Sequence, residues 1–174
     1  HPRSVQQLHS AARHTVRLGA SLSEAIRQTA LAHQATPFML LLSAFQSLLH
    51  RYSGQRDIRI GVPNANRPRL ETQGLIGFFI NTQVLRAEVD SRLPFFELLA
   101  QTRQATLGAQ AHQDVPFEQL LEAFPQARES GLFQVMFNHQ QRDLSALRRL
   151  PGLLAEELPW HSREAKFDLQ LHSE

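Results

Sequence analysis

Thr36-Pro37-Phe38-Met39-Leu40-Leu41-Leu42-Ser43-Ala44-Phe45-Gln46-Ser47-Leu48-Leu49, closed by Gly54 and followed by Ile58-Arg59-Ile60-Gly61-Val62, sets a helical period directly against a strand period. Phe38, Leu41, Leu42, Phe45, Leu48 and Leu49 recur at the spacing of one helix face. Thr36 is placed to accept the free N–H groups of the first turn, Pro37 fits a position that needs no donor, and Gly54 supplies the stop. So broad a stripe predicts a helix packed on a sheet, not a membrane or partner helix. In the next segment Ile58, Ile60 and Val62 alternate with Arg59 and Gly61, the period of a half-buried strand.

Working upstream, Ser21 to Ala35 reads as a second helix, with Ser21 and Glu24 at capping-box spacing and Leu22, Ala25, Ile26 and Thr29 as its apolar stripe. His14-Thr15-Val16-Arg17-Leu18 alternates weakly and predicts a strand; the first dozen residues are polar and linker-like. Downstream, Pro63 to Gly77 is a long irregular stretch, of a length that in a small domain usually serves a site. Phe78 to Leu85 reads as a strand whose apolar start implies cover on both faces. Leu93-Pro94 opens a helix through Phe95, Leu98, Leu99, Thr102 and Ala105. A shorter helix follows Asp114, with Pro116 in its first turn and Phe117, Leu120, Leu121 and Phe124 on one face. Leu132 to His139 predicts a strand with Phe133, Val135 and Phe137 on one side, and Phe167 to Leu171 a last short strand. Interleaved helices and strands make the class α/β, a two-layer sandwich with a mixed sheet covered by helices.

The chain has 174 residues, enough for one domain or one lobe of a larger unit and long enough to bury a real core. It has no cysteine, which excludes disulfides, thiolate metal sites and a cysteine nucleophile and fits the cytoplasm. The net charge is +2; the pI near 9.9 reflects one tyrosine and one lysine, Lys166, leaving little to titrate above neutrality. Arginines are scattered among carboxylates, so no nucleic-acid surface is expected, and no apolar run approaches a membrane span.

Catalytic signatures are missing. There is no phosphate-binding loop, no dinucleotide turn, no G-x-S-x-G elbow and no H-E-x-x-H pair. Gly74-Leu75-Ile76-Gly77 has G-x-x-G spacing, but its middle residues are apolar where RNA binding wants basic ones. His112 and Asp114 are the closest candidate metal ligands; the simpler reading makes Asp114 a helix cap and His112 a surface or hydrogen-bonded residue, so no metal is expected. His139 reads as a hydrogen-bonded sheet histidine. Asn81, polar within an apolar strand directly after the long loop, is either an amide bonded to backbone or the wall of a cleft.

Five blocks in order carry a resemblance. Gly77-Phe78-Phe79-Ile80-Asn81-Thr82 and His112-Gln113-Asp114-Val115-Pro116-Phe117-Glu118 resemble the G-F-[FV]-[IV]-N-T and H-Q-D-x-P-F-E motifs of condensation domains in nonribosomal peptide synthetases. The stretch between Tyr52 and Arg67, Leu132 to Asn138, and Lys166-Phe167-Asp168-Leu169 resemble three further blocks. Arg128 to Gly131 departs from the family, whose block there is longer.

The resemblance implies a lobe like chloramphenicol acetyltransferase, one of two that form a V around a tunnel. It implies amide-bond formation between aminoacyl or peptidyl thioesters held on the phosphopantetheine of carrier proteins, with no cofactor bound directly. The family's H-H-x-x-x-D-G motif does not occur here, since no two histidines are adjacent. The chain therefore resembles the carboxy-terminal, acceptor-side lobe, with no catalytic residue of its own and no activity expected in isolation. On this mapping residues 1–12 are an inter-lobe linker, 13–174 the lobe, 63–77 the tunnel floor loop and 142–163 a latch-like crossover. Phe78, Phe79, Asn81 and Thr82 would line the tunnel; Asn64, Arg67, Gly74 and Gly77 would belong to the floor loop; His112, Gln113, Asp114, Pro116, Phe117 and Glu118 would form a structural motif. Implied partners are the amino-terminal lobe, donor and acceptor peptidyl carrier proteins and an adjacent adenylation domain, with self-association an alternative for the isolated fragment. An epimerisation-domain lobe and a non-catalytic docking platform for carrier proteins are the alternative functions; the D-F-G-W-G motif of plant acyltransferases is missing.

Overall fold

A computed structural model of the chain describes residues 11–67, 69–125, 131–140, 151–154, 156 and 165–174. The elements in chain order are α1 (Ala20–Ala32), α2 (Pro37–Ser53), β1 (Asp57–Asn64), α3 (Leu70–Gln73), β2 (Asn81–Glu88), α4 (Phe95–Ala111), α5 (Phe117–Ala123), β3 (Val135–His139) and β4 (Leu169–Ser173). The four strands form one mixed sheet in the order β2-β1-β3-β4. The β1–β2 pair is antiparallel, from Asp57 opposite Glu88 to Asn64 opposite Asn81. β3 runs parallel to both β1 and β4.

α2 forms as its ends dictate. The Thr36 hydroxyl accepts from the Met39 N–H at 3.3 Å, Pro37 occupies the first turn, and Gly54 terminates the helix at φ 71°, a left-handed conformation that glycine adopts at least cost. Leu42 and Phe45 of α2 and Leu98 of α4 pack on Ile58, Ile60 and Val62 of β1, Leu85 and Ala87 of β2, and Phe137 of β3. Each of the Leu, Ile, Val and Phe side chains, once buried, contributes about 1.5–3 kcal/mol. α1 stacks behind this layer, where Ile26 and Ala30 meet Met39, Leu40 and Leu99. By alternation the opposite face of the hairpin carries Asp57, Arg59 and Gly61 of β1 with Arg86 and Glu88 of β2. Asp57 pairs there with Arg59 at 2.7 Å and Arg86 at 2.8 Å. α1, α2 and α4 thus cover one face, and on the other face the outer end of the hairpin is ionic, a two-layer α/β sandwich as expected.

Several local expectations are corrected. Residues 11–19 form no strand, since the weak alternation finds no partner to pair with. Ser21 does not cap α1: Gly19 holds that position, and the Glu24 carboxylate is taken by Arg27 at 2.7 Å and Gln28 at 3.0 Å. Leu22 is 50% exposed, because the inward face of α1 is set by Ile26 and Ala30. Asp114 does not cap α5 either; Pro116 stands at that position, and the Phe117 N–H of the first turn is taken by the side chain of Asn81. Strand β2 begins at Asn81, not Phe78, and Phe78 is 87% exposed rather than covered on both faces. The ladder explains this: β1 ends at Asn64, the partner of Asn81, so Phe78 to Ile80 have no strand to join. Phe133 lies outside β3 and reaches the opposite sheet face from Val135 and Phe137, where Gly61 leaves room for its ring. The last strand is shifted to Leu169–Ser173 by its register against Val135–His139. Residues 1–10 of the expected linker, the Arg128 to Ser130 departure and most of the 142–163 crossover lie outside the described residues.

Candidate functional site

The loop between β1 and β2 is built around two clusters of polar contacts. The first gathers the ends of the loop. Asn64 and Asn81 face each other on the last rung of the hairpin. The Asn64 amide donates to Gln113 Oε1 at 3.0 Å, and its Oδ1 accepts from the Asn66 N–H at 3.0 Å, supporting the left-handed turn at Asn66 (φ 49°). The Asn81 amide donates to the carbonyls of Gln113 at 3.1 Å and Val115 at 2.7 Å. Its Oδ1 accepts from the N–H groups of Thr82 at 2.9 Å and Phe117 at 3.1 Å. One residue further into β2 than Thr82, Gln83 donates to the Ala109 carbonyl of α4 at 2.6 Å. The start of β2 is therefore tied across to the turn between α4 and α5.

The second cluster fills the loop itself. The Arg67 guanidinium donates to the carbonyls of Thr72, of Leu75 at 2.8 Å and of Gly77 at 3.3 Å. It also lies 4.3 Å from the centre of the Phe79 ring, a cation–π contact. A planar, always-charged fork spreads its donors over several carbonyls while lying on a ring face; an ammonium is a compact point charge without that spread. Because the carbonyls turn inward, apolar side chains are carried outward. Leu70, Leu75, Ile76, Phe78 and Ile80 are all exposed, Ile76 fully so.

The structure thus brings Asn64, Asn81 and Gln113 together with Phe117, and separately joins Arg67 to Gly77 and Phe79. A Cβ at Gly77 would lie 2.9 Å from the Phe79 ring, whereas one at Gly74 would meet nothing within 4 Å. Thr82 is half-buried and gives its N–H to Asn81. His112, Asp114 and Glu118 are exposed, and their side chains make no hydrogen bond among the described residues. No group of three metal-ligating side chains occurs among the described residues. No helix among them is long and apolar enough to cross a membrane. Sequence reading missed Gln83, whose polar position in a strand bordering α4 was the available signal. It also missed the aromatic trio Phe117, Phe133 and Phe167, with centroids of Phe133 5.8 Å and 5.5 Å from the other two. The trio borders a groove of about 610 Å³ under α5.

The chain is an α/β lobe: a mixed sheet carrying helices, with the loop after β1 braced by the turn between α4 and α5. The family model described as the condensation domain matches residues 1–174, and the chain belongs to that family. It is 44% identical over 174 residues to a linear gramicidin synthase of Brevibacillus parabrevis, covering 98% of this chain and 3% of that protein. It is 42% identical over 180 residues to phosphinothricin tripeptide synthetase of Streptomyces viridochromogenes, covering 98% of this chain and 16% of that protein. The chain therefore spans a small part of the curated relatives it matches. Among solved structures, the condensation domain of monacolin K polyketide synthase superposes with a TM-score of 0.65 at 30% identity, over 72% of this chain and 30% of that one. A four-domain nonribosomal peptide synthetase gives a TM-score of 0.82 at 21% identity, over 98% of this chain and 14% of that one. The fold is that of a condensation-domain lobe of the chloramphenicol acetyltransferase-like kind.

Proposed function

We propose that this chain is the acceptor-side lobe of a condensation domain that joins carrier-bound aminoacyl or peptidyl thioesters into an amide. The observation that carries the reading is the convergence of the two family motifs, Gly77 to Thr82 and His112 to Glu118, on one hydrogen-bonded cluster at the mouth of a pre-shaped loop. On this reading the loop holding Asn64, Arg67, Gly74 and Gly77 floors the passage, and Phe78, Phe79, Asn81 and Thr82 border it. In the reaction the amine nitrogen of the acceptor attacks the donor thioester carbonyl. A C–N bond forms, the C–S bond breaks, the carrier's phosphopantetheine thiol leaves, and the amine gives up a proton.

The described site offers no nucleophile, so this lobe contributes placement. Holding two tethered reactants in line is worth on the order of 7–11 kcal/mol of barrier. The imidazole that receives or orients the amine proton would come from an H-H-x-x-x-D-G motif, which this sequence does not contain. A second lobe, two carrier proteins and a neighbouring adenylation domain are the partners this requires, in a cytoplasmic assembly. The exposed apolar residues Leu75, Ile76 and Phe78 support the reading, as they suit a surface that another lobe covers.

The test mixes this chain with a separately produced lobe bearing H-H-x-x-x-D-G and two loaded carriers. Amide product is expected only from the full mixture. Product from this chain and carriers without the second lobe would overturn the proposal, as would exchange of the donor α-proton with solvent deuterium in place of amide formation.

A further inference from the structure

The Asn81 side chain has no hydrogen-bonding capacity left over. Its two amide protons go to the Gln113 and Val115 carbonyls, and its Oδ1 accepts two N–H groups, from Thr82 and Phe117. A primary amide has two donors and two acceptor lone pairs, so all four are in use. A substrate could bond Asn81 only by displacing one of these partners. Asn64 faces Asn81 on the last rung and sends its amide to the side chain of the same Gln113. Both roots of the floor loop therefore converge on one residue of the α4–α5 turn, from opposite sides of the loop opening.

We infer that Asn81 and Gln113 are positioning residues that lock the floor loop and the α4–α5 turn into one unit, and that Asn81 acts through this lock rather than by touching substrate. The inference deepens the acceptor-lobe reading and rests on it for its catalytic consequence, but the lock itself is a property of this chain alone. Arg67 completes the unit from within, since the carbonyls it gathers and the Phe79 face it covers lie between the two anchored roots. The loop is then a fixed floor, held at Asn64, at Asn81 and at its centre.

Amide hydrogen exchange on this chain, without substrates, tests the lock. Gln113→Ala removes the acceptor of the Asn64 amide and is expected to raise exchange across residues 69–80 at least tenfold, leaving β1 residues 58–62 unchanged. Gln113→Glu keeps an acceptor oxygen and is expected to stay within threefold of the parent. Asn81→Asp loses both donated bonds and is expected to loosen residues 69–80 and 113–117 together. Unaltered exchange in Gln113→Ala, or equal loosening in Gln113→Glu, overturns the inference. In the mixed-lobe assay Gln113→Ala and Asn81→Asp are expected to slow amide formation together, with Gln113→Glu restoring it. A slow Asn81→Asp beside an unimpaired Gln113→Ala would return Asn81 to direct substrate contact. A mixture that makes no amide with the parent sequence overturns the acceptor-lobe reading alone, because the exchange result stands without it.

Discussion

The ring of Phe133 occupies the space that a side chain at Gly61 would need: a Cβ there would lie 2.3 Å from the ring. Gly61 sits mid-strand in β1, and Phe133 is held over it by the rings of Phe117 and Phe167. Gly61→Ala is expected to destabilise the chain by about 1–3 kcal/mol through overpacking. Urea unfolding measures this, and in Gly61→Ala/Phe133→Leu the combined loss should fall short of the sum of the single losses. An additive pair would mean the ring moves aside freely.

Gln46 of α2 and Thr102 of α4 are both about 1% exposed, and the Thr102 hydroxyl donates to Gln46 Oε1 at 2.8 Å. Thr102→Val leaves a buried amide oxygen without that donor and is expected to cost about 1–3 kcal/mol. Replacing both, as Gln46→Leu/Thr102→Val, is expected to recover most of it, read as the midpoint of thermal unfolding. A double variant as weak as the single one would show that the polar pair does more than satisfy itself.

Arg67→Lys keeps the charge but loses the planar fork that reaches the Leu75 and Gly77 carbonyls and covers Phe79. A loss of about 1–2 kcal/mol is expected, with faster proteolysis confined to residues 69–80. Cleavage spread evenly over the chain would contradict a local role.

His139 is half-buried on β3, with Nδ1 2.9 Å from the Ser173 hydroxyl of β4 and the rings of Phe38 and Phe137 nearby. Burial lowers its pKa below the usual histidine value. The unfolded chain then binds the proton more readily than the folded one. The stabilisation this represents is fully present above the unfolded pKa near 6.5 and is lost as pH falls through the lower folded value. His139→Gln is expected to lessen the loss of stability as pH falls below the ordinary histidine value, and an unchanged slope in that variant would assign the pH dependence elsewhere.

α2 was legible to its ends because every signal on it is local: a cap, a first-turn proline, a stripe and a terminal glycine act within a turn of where they stand. β1 was legible from alternation for the same reason. α1 misled because Ser21 and Glu24 satisfy a capping pattern by spacing, while the carboxylate is better served by Arg27 and Gln28 one helical turn on. Phe78 to Ile80 misled because a run of apolar residues announces burial only if something packs on it, and the hairpin ends before reaching them.

Residue identity alone determined the α/β class, the family and the order of elements from α1 onward except the short α3, since these depend on periodicity and on motifs that survive without a partner in space. Only the tertiary structure decided that Asn64, Asn81 and Gln113 share one cluster, that Arg67 folds its own loop around itself, and that Phe133 needs Gly61 beneath it. The bonds from Asn64 to Gln113, Asn81 to Gln113 and Arg67 to Gly77 join positions 49, 32 and 10 residues apart. Hydrogen-bond geometry at that range is fixed by how the sheet and helices stack, and neighbouring letters carry no record of it.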